Sequence, residues 1–221
     1  MANRFALTMV AATAALTAVA APASATGRLL YNSSAEQMIT VVAGSPAATT
    51  ASLATWRRVG TSWELVYGPV QAFVGKQGIG KASESSSHTP AGVWNLTEAF
   101  GIQANNGTGL PYRQVTTSDW WVSDVTSRYY NTHYVCAPGT CPFNEAAGED
   151  LGKVGTAYNH AVVIDYNRFP AVPGNGSAFF LHVSTGNPTA GCVSIPAADL
   201  DTVMRWLDPA KHPVINISVQ S

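Results

Sequence analysis

The sequence predicts a mainly β fold with few helices, and three observations carry that expectation. Short runs rich in Val, Ile, Thr, Trp and Tyr recur along the chain, broken by Gly, Pro and Ser. Only the stretch after Pro196 repeats apolar residues at helical spacing. Charged residues make up 11% of the chain, against about 25% in ordinary soluble domains. Gly, Ser, Thr, Asn and Ala take their place, which suits a β-rich chain with long polar loops.

The 221 residues are enough for one large domain or two small ones. There are no internal repeats, no heptads and no obvious linker, so one domain is expected, over residues 38–221. Before it, residues 26–37 form an irregular N-terminal segment. Residues 1–25 carry the marks of an export signal. Arg4 gives a positive start, residues 5–21 are apolar and uncharged, and Ala23-Ser24-Ala25 is a small-residue cleavage site. No later run reaches the ~18 apolar residues of a membrane span. The expectation is a secreted, cell-wall-associated protein without a stable membrane anchor, acting as a monomer. A net charge of -1 gives no reason to expect nucleic acid as a partner.

Strands are expected at residues 38–43, 51–59, 62–67 and 70–74, as a meandering antiparallel sheet. Residues 75–87 read as a polar loop. It lacks the Gly-Lys-Ser/Thr ending of a phosphate-binding loop, so no nucleotide is expected. Residues 96–100 form another short run. Residues 101–158 are the least regular stretch and hold Trp120, Trp121, Tyr129, Tyr130 and Asn131, which suit either a lid or internal packing. Buried-strand character returns at 161–164, 178–183 and 192–195. Pro196 then opens a helix whose apolar residues are Leu200, Val203, Met204 and Leu207. Residues 213–219 form a closing strand.

Cysteine usage points to the chemistry. Cys136 and Cys141 flank a Pro-Gly turn, and in an oxidising compartment such a pair is expected to bridge. Cys192 is then left without a partner, and an odd thiol in an exported chain is either an intermolecular link or a reactive group. Ten positions before it stands His182, across a loop with Gly-Asn-Pro at its middle. An imidazole within reach can take the thiol proton and leave a nucleophilic thiolate. Gly191 removes a side chain where the backbone must turn and a carbonyl must approach. N–H groups around Gly191 and Cys192 could stabilise an oxyanion. The same two residue types also fit a buried apolar thiol beside a structural histidine. His160, His182 and Cys192 are metal-ligand types, but no ligand spacing supports a metal site, and no metal or other cofactor is expected. His88, His133 and His212 stand alone and are expected in solvent.

Together, His182-Val183-Ser184, Thr189-Ala190-Gly191-Cys192-Val193-Ser194 and the upstream Thr89-Pro90-Ala91-Gly92-Val93-Trp94 resemble the L,D-transpeptidase catalytic domain (YkuD-type). The pattern is similar to a short-loop subgroup of secreted actinobacterial proteins. The resemblance implies a β-sandwich-like catalytic domain. It also implies a two-step acyl transfer on peptidoglycan stem peptides through a thioester on Cys192, with His182 as base. Gly191, Thr189, Ser194, Tyr158 and His160 are the candidates for oxyanion and substrate contacts. His160 could equally be a satisfied edge histidine. Two residues depart from the family's usual pattern: Ala190 stands where His is common, and Ser194 where Arg or Asn is common. Neither supplies the polar contacts of the usual residue. The acceptor, an amine or water, decides between transpeptidase and carboxypeptidase or hydrolase. A non-catalytic cell-wall-binding domain of the same fold is the remaining alternative.

Overall fold

A computed structural model describes residues 34–220. The expected export segment and residues 26–33 lie outside them. The first three strands are β1 (Gln37–Ala43), β2 (Thr50–Val59) and β3 (Ser62–Phe73). They form an antiparallel meander. The runs expected at 62–67 and 70–74 are one strand, because Gly68 and Pro69 are absorbed as a bulge opposite Ala54 rather than ending the strand. Gly68 takes φ +94, which a residue with a Cβ avoids.

Two minute strands follow, β4 (Ile79–Gly80) and β5 (Thr89–Pro90), paired with each other, and then β6 (Gly92–Asn95) and β7 (Ala99–Gly101). The run expected at 96–100 thus begins with a connection, and only its end is strand. The irregular stretch supplies β8 (Tyr112–Gln114), β9 (Asp119–Val122), β10 (His133–Val135) and β11 (Gly148–Asp150). The last three make a separate small sheet in the order β10-β9-β11. The C-terminal third holds β12 (Ala161–Val163), β13 (Phe180–Val183), β14 (Val193–Ile195), helix α1 (Ala197–Trp206) and β15 (Val214–Val219). Pro196 caps α1, as its sequence suggests, and Leu200, Val203 and Met204 are its buried face.

The main sheet has ten strands in the order β6-β15-β1-β2-β3-β14-β13-β12-β7-β8. It is mixed, not purely antiparallel: β1 with β15, β13 with β14, and β7 with β8 run parallel. The sheet curls on itself. Ile39, Val41 and Leu53 from one half share a core with Leu181, Val193 and Ile195 from the other, and α1 adds to the same core. This is the sandwich-like packing expected of a sheet with one apolar inner face.

The opposite face of β12, β13 and β14 carries a second apolar cluster. Phe180, Ala161 and Cys192 meet Trp121, Leu151 and Tyr158 there. The irregular segment therefore covers this face and does not stand apart. Its aromatics are packing: Trp120 and Trp121 are buried, and Trp121 Nε1 donates to Asn131 Oδ1 at 2.9 Å. Asn131 is a buried hub. Its oxygen also accepts from Ala178 N, and its Nδ2 donates to the carbonyls of Tyr166 and Asn167. That amide ties the cover to the loop leading into β13, using all of its usual bonding capacity. The expected disulfide is present, joining Cys136 to Cys141.

Candidate active site

Parallel pairing of β13 with β14 sets the geometry. His182 lies opposite Ser194 and Leu181 opposite Val193. Side chains alternate along a strand. Phe180, His182, Cys192 and Ser194 therefore project from one face, and Leu181, Val183, Val193 and Ile195 from the other. Cys192 and His182 are diagonal neighbours on that face, each with its own backbone partner: Cys192 Sγ bonds the Ala178 carbonyl and His182 Nδ1 the Val183 carbonyl.

The backbone at Cys192 is fixed by both sequence blocks. Thr89 Oγ1 donates to the Cys192 carbonyl at 3.2 Å and accepts Gly75 N–H at 2.8 Å. Thr189 Oγ1 donates to the same carbonyl at 2.6 Å and accepts Gly191 N–H at 3.1 Å. Two threonines, one hundred positions apart in sequence, thus occupy both lone-pair directions of one carbonyl. Gly191 has φ +146, and a Cβ there would sit 2.8 Å from the Phe179 ring and 3.2 Å from the His88 carbonyl. Only glycine fits.

Cys192 is a free, buried thiol whose Sγ donates to the Ala178 carbonyl at 3.4 Å. Ala178 holds φ +58, a left-handed conformation uncommon for a residue with a Cβ. Burial pushes the thiol up to about 12, the nearby Glu149 pushes it the same way, and only the Phe180 N–H opposes them. His182 is buried, and its Nδ1 sits 2.9 Å from the Val183 carbonyl. A carbonyl can only accept, so Nδ1 carries the proton and Nε2 carries the lone pair. Burial holds the imidazole below its ordinary value, although the Val183 bond works against it. The resting pair is a neutral thiol and a neutral imidazole.

Among the other sequence candidates, Tyr158 lies in the site. Its ring packs edge-on to His182 with centroids 5.5 Å apart, and its hydroxyl donates to Glu149 Oε2 at 2.6 Å. Ser194 lies beside His182, its buried hydroxyl without a hydrogen bond. Thr189 spends its hydroxyl on the Cys192 loop, and the Gly191 N–H is turned onto Thr189 rather than into open space. His160 is not brought to the thiol. Its Nδ1 pairs with Asp201 of α1 at 2.8 Å and its Nε2 lies 3.0 Å from the Ala104 carbonyl. It is the satisfied edge histidine. Of the three lone histidines, His212 is exposed as expected. His133 is not in solvent: it lies 2.8 Å from Asp119 Oδ1, and burial lowers its pKa. His88 is half-buried, its Nδ1 enclosed and without a hydrogen bond.

Cys192 opens onto a pocket of about 120 Å³ whose wall includes Glu84, Glu149, Ser123, Ser177 and Gly191. Ser177 Oγ lies 2.7 Å from both Glu84 Oε1 and Ser123 Oγ, and the Tyr130 hydroxyl also bonds Glu84. His182 does not line this pocket. The sequence offered no sign of Glu84 or Glu149, since both stand in loosely patterned stretches far from Cys192. Thr89 was visible only as the first residue of the upstream block.

No curated protein matches the chain. A solved structure, that of the helical cell shape determining protein Pgp2 from Campylobacter jejuni, aligns at 10% identity with a TM-score of 0.43. The alignment covers 84% of this chain and 49% of that one, so the chain spans about half the length of that protein. The L,D-transpeptidase catalytic domain family, YkuD, matches residues 37–215. That span runs from β1 into β15 and includes both threonines, His182 and Cys192, and over it this chain belongs to the YkuD family of L,D-transpeptidase catalytic domains.

Proposed function

We propose that this chain is an exported cysteine acyltransferase of the L,D-transpeptidase type acting on peptidoglycan stem peptides. One observation supports the reading beyond family membership: Cys192, its carbonyl clamped by two threonines just before β14, shares a sheet face with His182 of β13. The Cys136–Cys141 bridge fits an oxidising, extracytoplasmic location. No helix among the described residues is long and apolar enough to cross a membrane.

In this mechanism Cys192 attacks the carbonyl at the L-centre of a stem-peptide diamino acid, and His182 Nε2 takes the thiol proton as the C–S bond forms. With both groups neutral at rest, proton transfer accompanies attack instead of preceding it. The proton then passes to the departing D-alanine amine as the C–N bond breaks, leaving a thioester. An amine of a neighbouring stem peptide, or water, gives its proton to His182 and resolves the thioester. The substrate approaches from the pocket side, and the base acts from within the fold.

The test is incubation with a disaccharide-tetrapeptide followed by intact-protein mass spectrometry. An acyl adduct on Cys192 is expected in the wild type and not in Cys192→Ala. Adding a stem-peptide amine separates transpeptidation from hydrolysis by the product released. Identical spectra for wild type and Cys192→Ala across several stem peptides refute the enzyme reading.

A further inference from the structure

A second cavity, of about 260 Å³, lies outside the Cys192 site, between β6 and the loop that leaves β12. Val93, Trp94 and Asn95 line one side, and Asp165, Arg168 and Phe169 the other. Phe169 is 76% exposed, more than any other large apolar side chain among the described residues, and Val172 on the same loop is 48% exposed. Exposed apolar groups are informative where the chain is too stiff to turn them inward. This loop is braced. Asn167 Nδ2 donates to the Val172 and Gly176 carbonyls at 3.0 and 2.8 Å, and its Oδ1 accepts the Val172 N–H at 2.9 Å. Arg168 bonds Asp165 Oδ1 at 2.5 Å and Glu98 Oε1 at 2.6 Å. Its guanidinium carbon lies 4.9 Å from the Phe169 ring centroid and 5.0 Å from that of the buried Trp121. The Phe169 ring is thus stacked on a fixed cation, with most of its surface left to solvent.

Size, charge and continuity choose the occupant. The volume falls just below the range of about 300–1,000 Å³ for pockets that take drug-sized ligands, so it has room for one ring of a longer chain. A protein partner would need about 800 Å² of contact on each side. The charges of the wall, Asp165 and Arg168, are already paired with each other, so the group that seats there is uncharged. The cavity is also joined to the Cys192 pocket. Residues 167–177 run from one to the other, and Ser177 is part of the Cys192 pocket wall. Beneath that loop the Trp94 ring meets Tyr166 at 4.9 Å, Tyr166 meets Phe179 at 5.2 Å, and Phe179 is the ring that crowds Gly191. In a tetrapeptide that loses its last residue, the attacked carbonyl stands about three residues, or ~10 Å of extended chain, from the sugar. That is the scale of the two ring steps. A pyranose is an uncharged ring with an apolar face and a polar rim: its C–H groups pack on an aromatic ring, and its hydroxyl and acetamido groups bond amides. Asn95, exposed at the end of β6, is such an amide.

We propose that this cavity is a sugar subsite, in which Phe169 stacks one N-acetylhexosamine ring of the peptidoglycan glycan strand and Asn95 meets its polar rim. The stem peptide then reaches along residues 167–177 to Cys192. The proposal rests on the acyl-transfer reading for the peptide and adds where the glycan strand sits. Phe169 and Asn95 determine specificity and take no part in the chemistry.

The test compares the wild type with Phe169→Ala, which removes an exposed ring and leaves Cys192 and His182 untouched. Cys192 acylation is followed by mass spectrometry over a range of concentrations of two substrates, a disaccharide-tetrapeptide and the same tetrapeptide without sugars. In the wild type the disaccharide is expected to lower the half-saturating concentration about tenfold, the weight of one aromatic anchor, with the maximal rate unchanged. In Phe169→Ala that advantage should shrink to within about threefold, while the bare tetrapeptide reacts as it does with the wild type. Asn95→Ala should give a smaller loss of the same kind. Cosedimentation with glycan strands stripped of their peptides reads the subsite without the chemistry, and Phe169→Ala should bind them about tenfold more weakly than the wild type. Equal half-saturation of the wild type by the two substrates overturns the proposal and leaves the enzyme reading standing. An undiminished disaccharide advantage in Phe169→Ala does the same. If neither substrate acylates Cys192, the enzyme reading fails, and equal binding of stripped strands by wild type and variant overturns the sugar subsite as well.

Discussion

Replacing Thr89 by valine preserves volume and removes one hydroxyl from a fully buried position. Two bonds go with it. Gly75 N–H loses its acceptor at 2.8 Å and is left unpaired in the interior, at a cost of about 1–3 kcal/mol. The Cys192 carbonyl loses one of its two donors, at a cost of about 1 kcal/mol, because Thr189 still holds it. The sum is about 3 kcal/mol of stability. With a urea slope of about 2 kcal/mol/M, the unfolding midpoint should fall by about 1.5 M. Thr89→Ser keeps the hydroxyl and should recover most of the loss. Cys192 acylation should also slow in folded Thr89→Val, since the nucleophile's backbone is held on one side only. A Thr89→Val midpoint within about 0.25 M of the wild type, about 0.5 kcal/mol at that slope, would show that the clamp contributes nothing to the fold, and would sink the argument.

Two further outcomes follow from the same geometry. His182 has a depressed pKa in the folded state, so the unfolded chain binds its proton first as pH falls, and the stability it contributes is present above its unfolded value and lost on acidification. Glu149 and Asp165 are held above their ordinary values, chiefly by burial, and act in the opposite sense. The informative quantity is thus the difference between proteins: His182→Gln should lose a slope of up to about 1.4 kcal/mol per pH unit between pH 6.5 and 5.5 in urea unfolding, and parallel curves would contradict the depressed value. His160→Leu breaks the Asp201 and Ala104 bonds and should cost about 1–3 kcal/mol. Cys192 acylation should persist in His160→Leu, and its loss in folded protein would return His160 to the site.

The parts of this protein that were legible in sequence are the local ones. Pro196 opens a helix because its ring suits the first turn, and the Leu200, Val203 and Met204 spacing fixes which face is buried. The apolar runs around Phe180 and Val193 read as strands because both of their faces are covered. Gly68-Pro69 looked like a strand break, but a bulge lets the ladder continue past it. The parallel pairings of β1 with β15 and β13 with β14 were not legible, since nothing in a strand's own residues names a partner far along the chain. His133 looked solitary because Asp119, fourteen positions away, becomes its neighbour only through the β9–β10 pairing.

The sequence by itself singled out Cys192, His182 and Gly191 as candidates, since an unpaired thiol, a histidine one short loop away and a Gly-Cys step are properties of neighbouring residues. It also determined which cysteines bridge. Tertiary structure alone decided what surrounds that thiol. Long-range pairing laid residues 101–158 over β13 and β14, and so placed Tyr158 against His182 and the Glu149 carboxyl at the wall of the Cys192 pocket. The acidity of a buried group is set by its enclosure and by charges brought near it through space. The same sequence distance that hides Glu149 from a reader of the chain therefore hides one of the causes that, after burial itself, push the Cys192 thiol up.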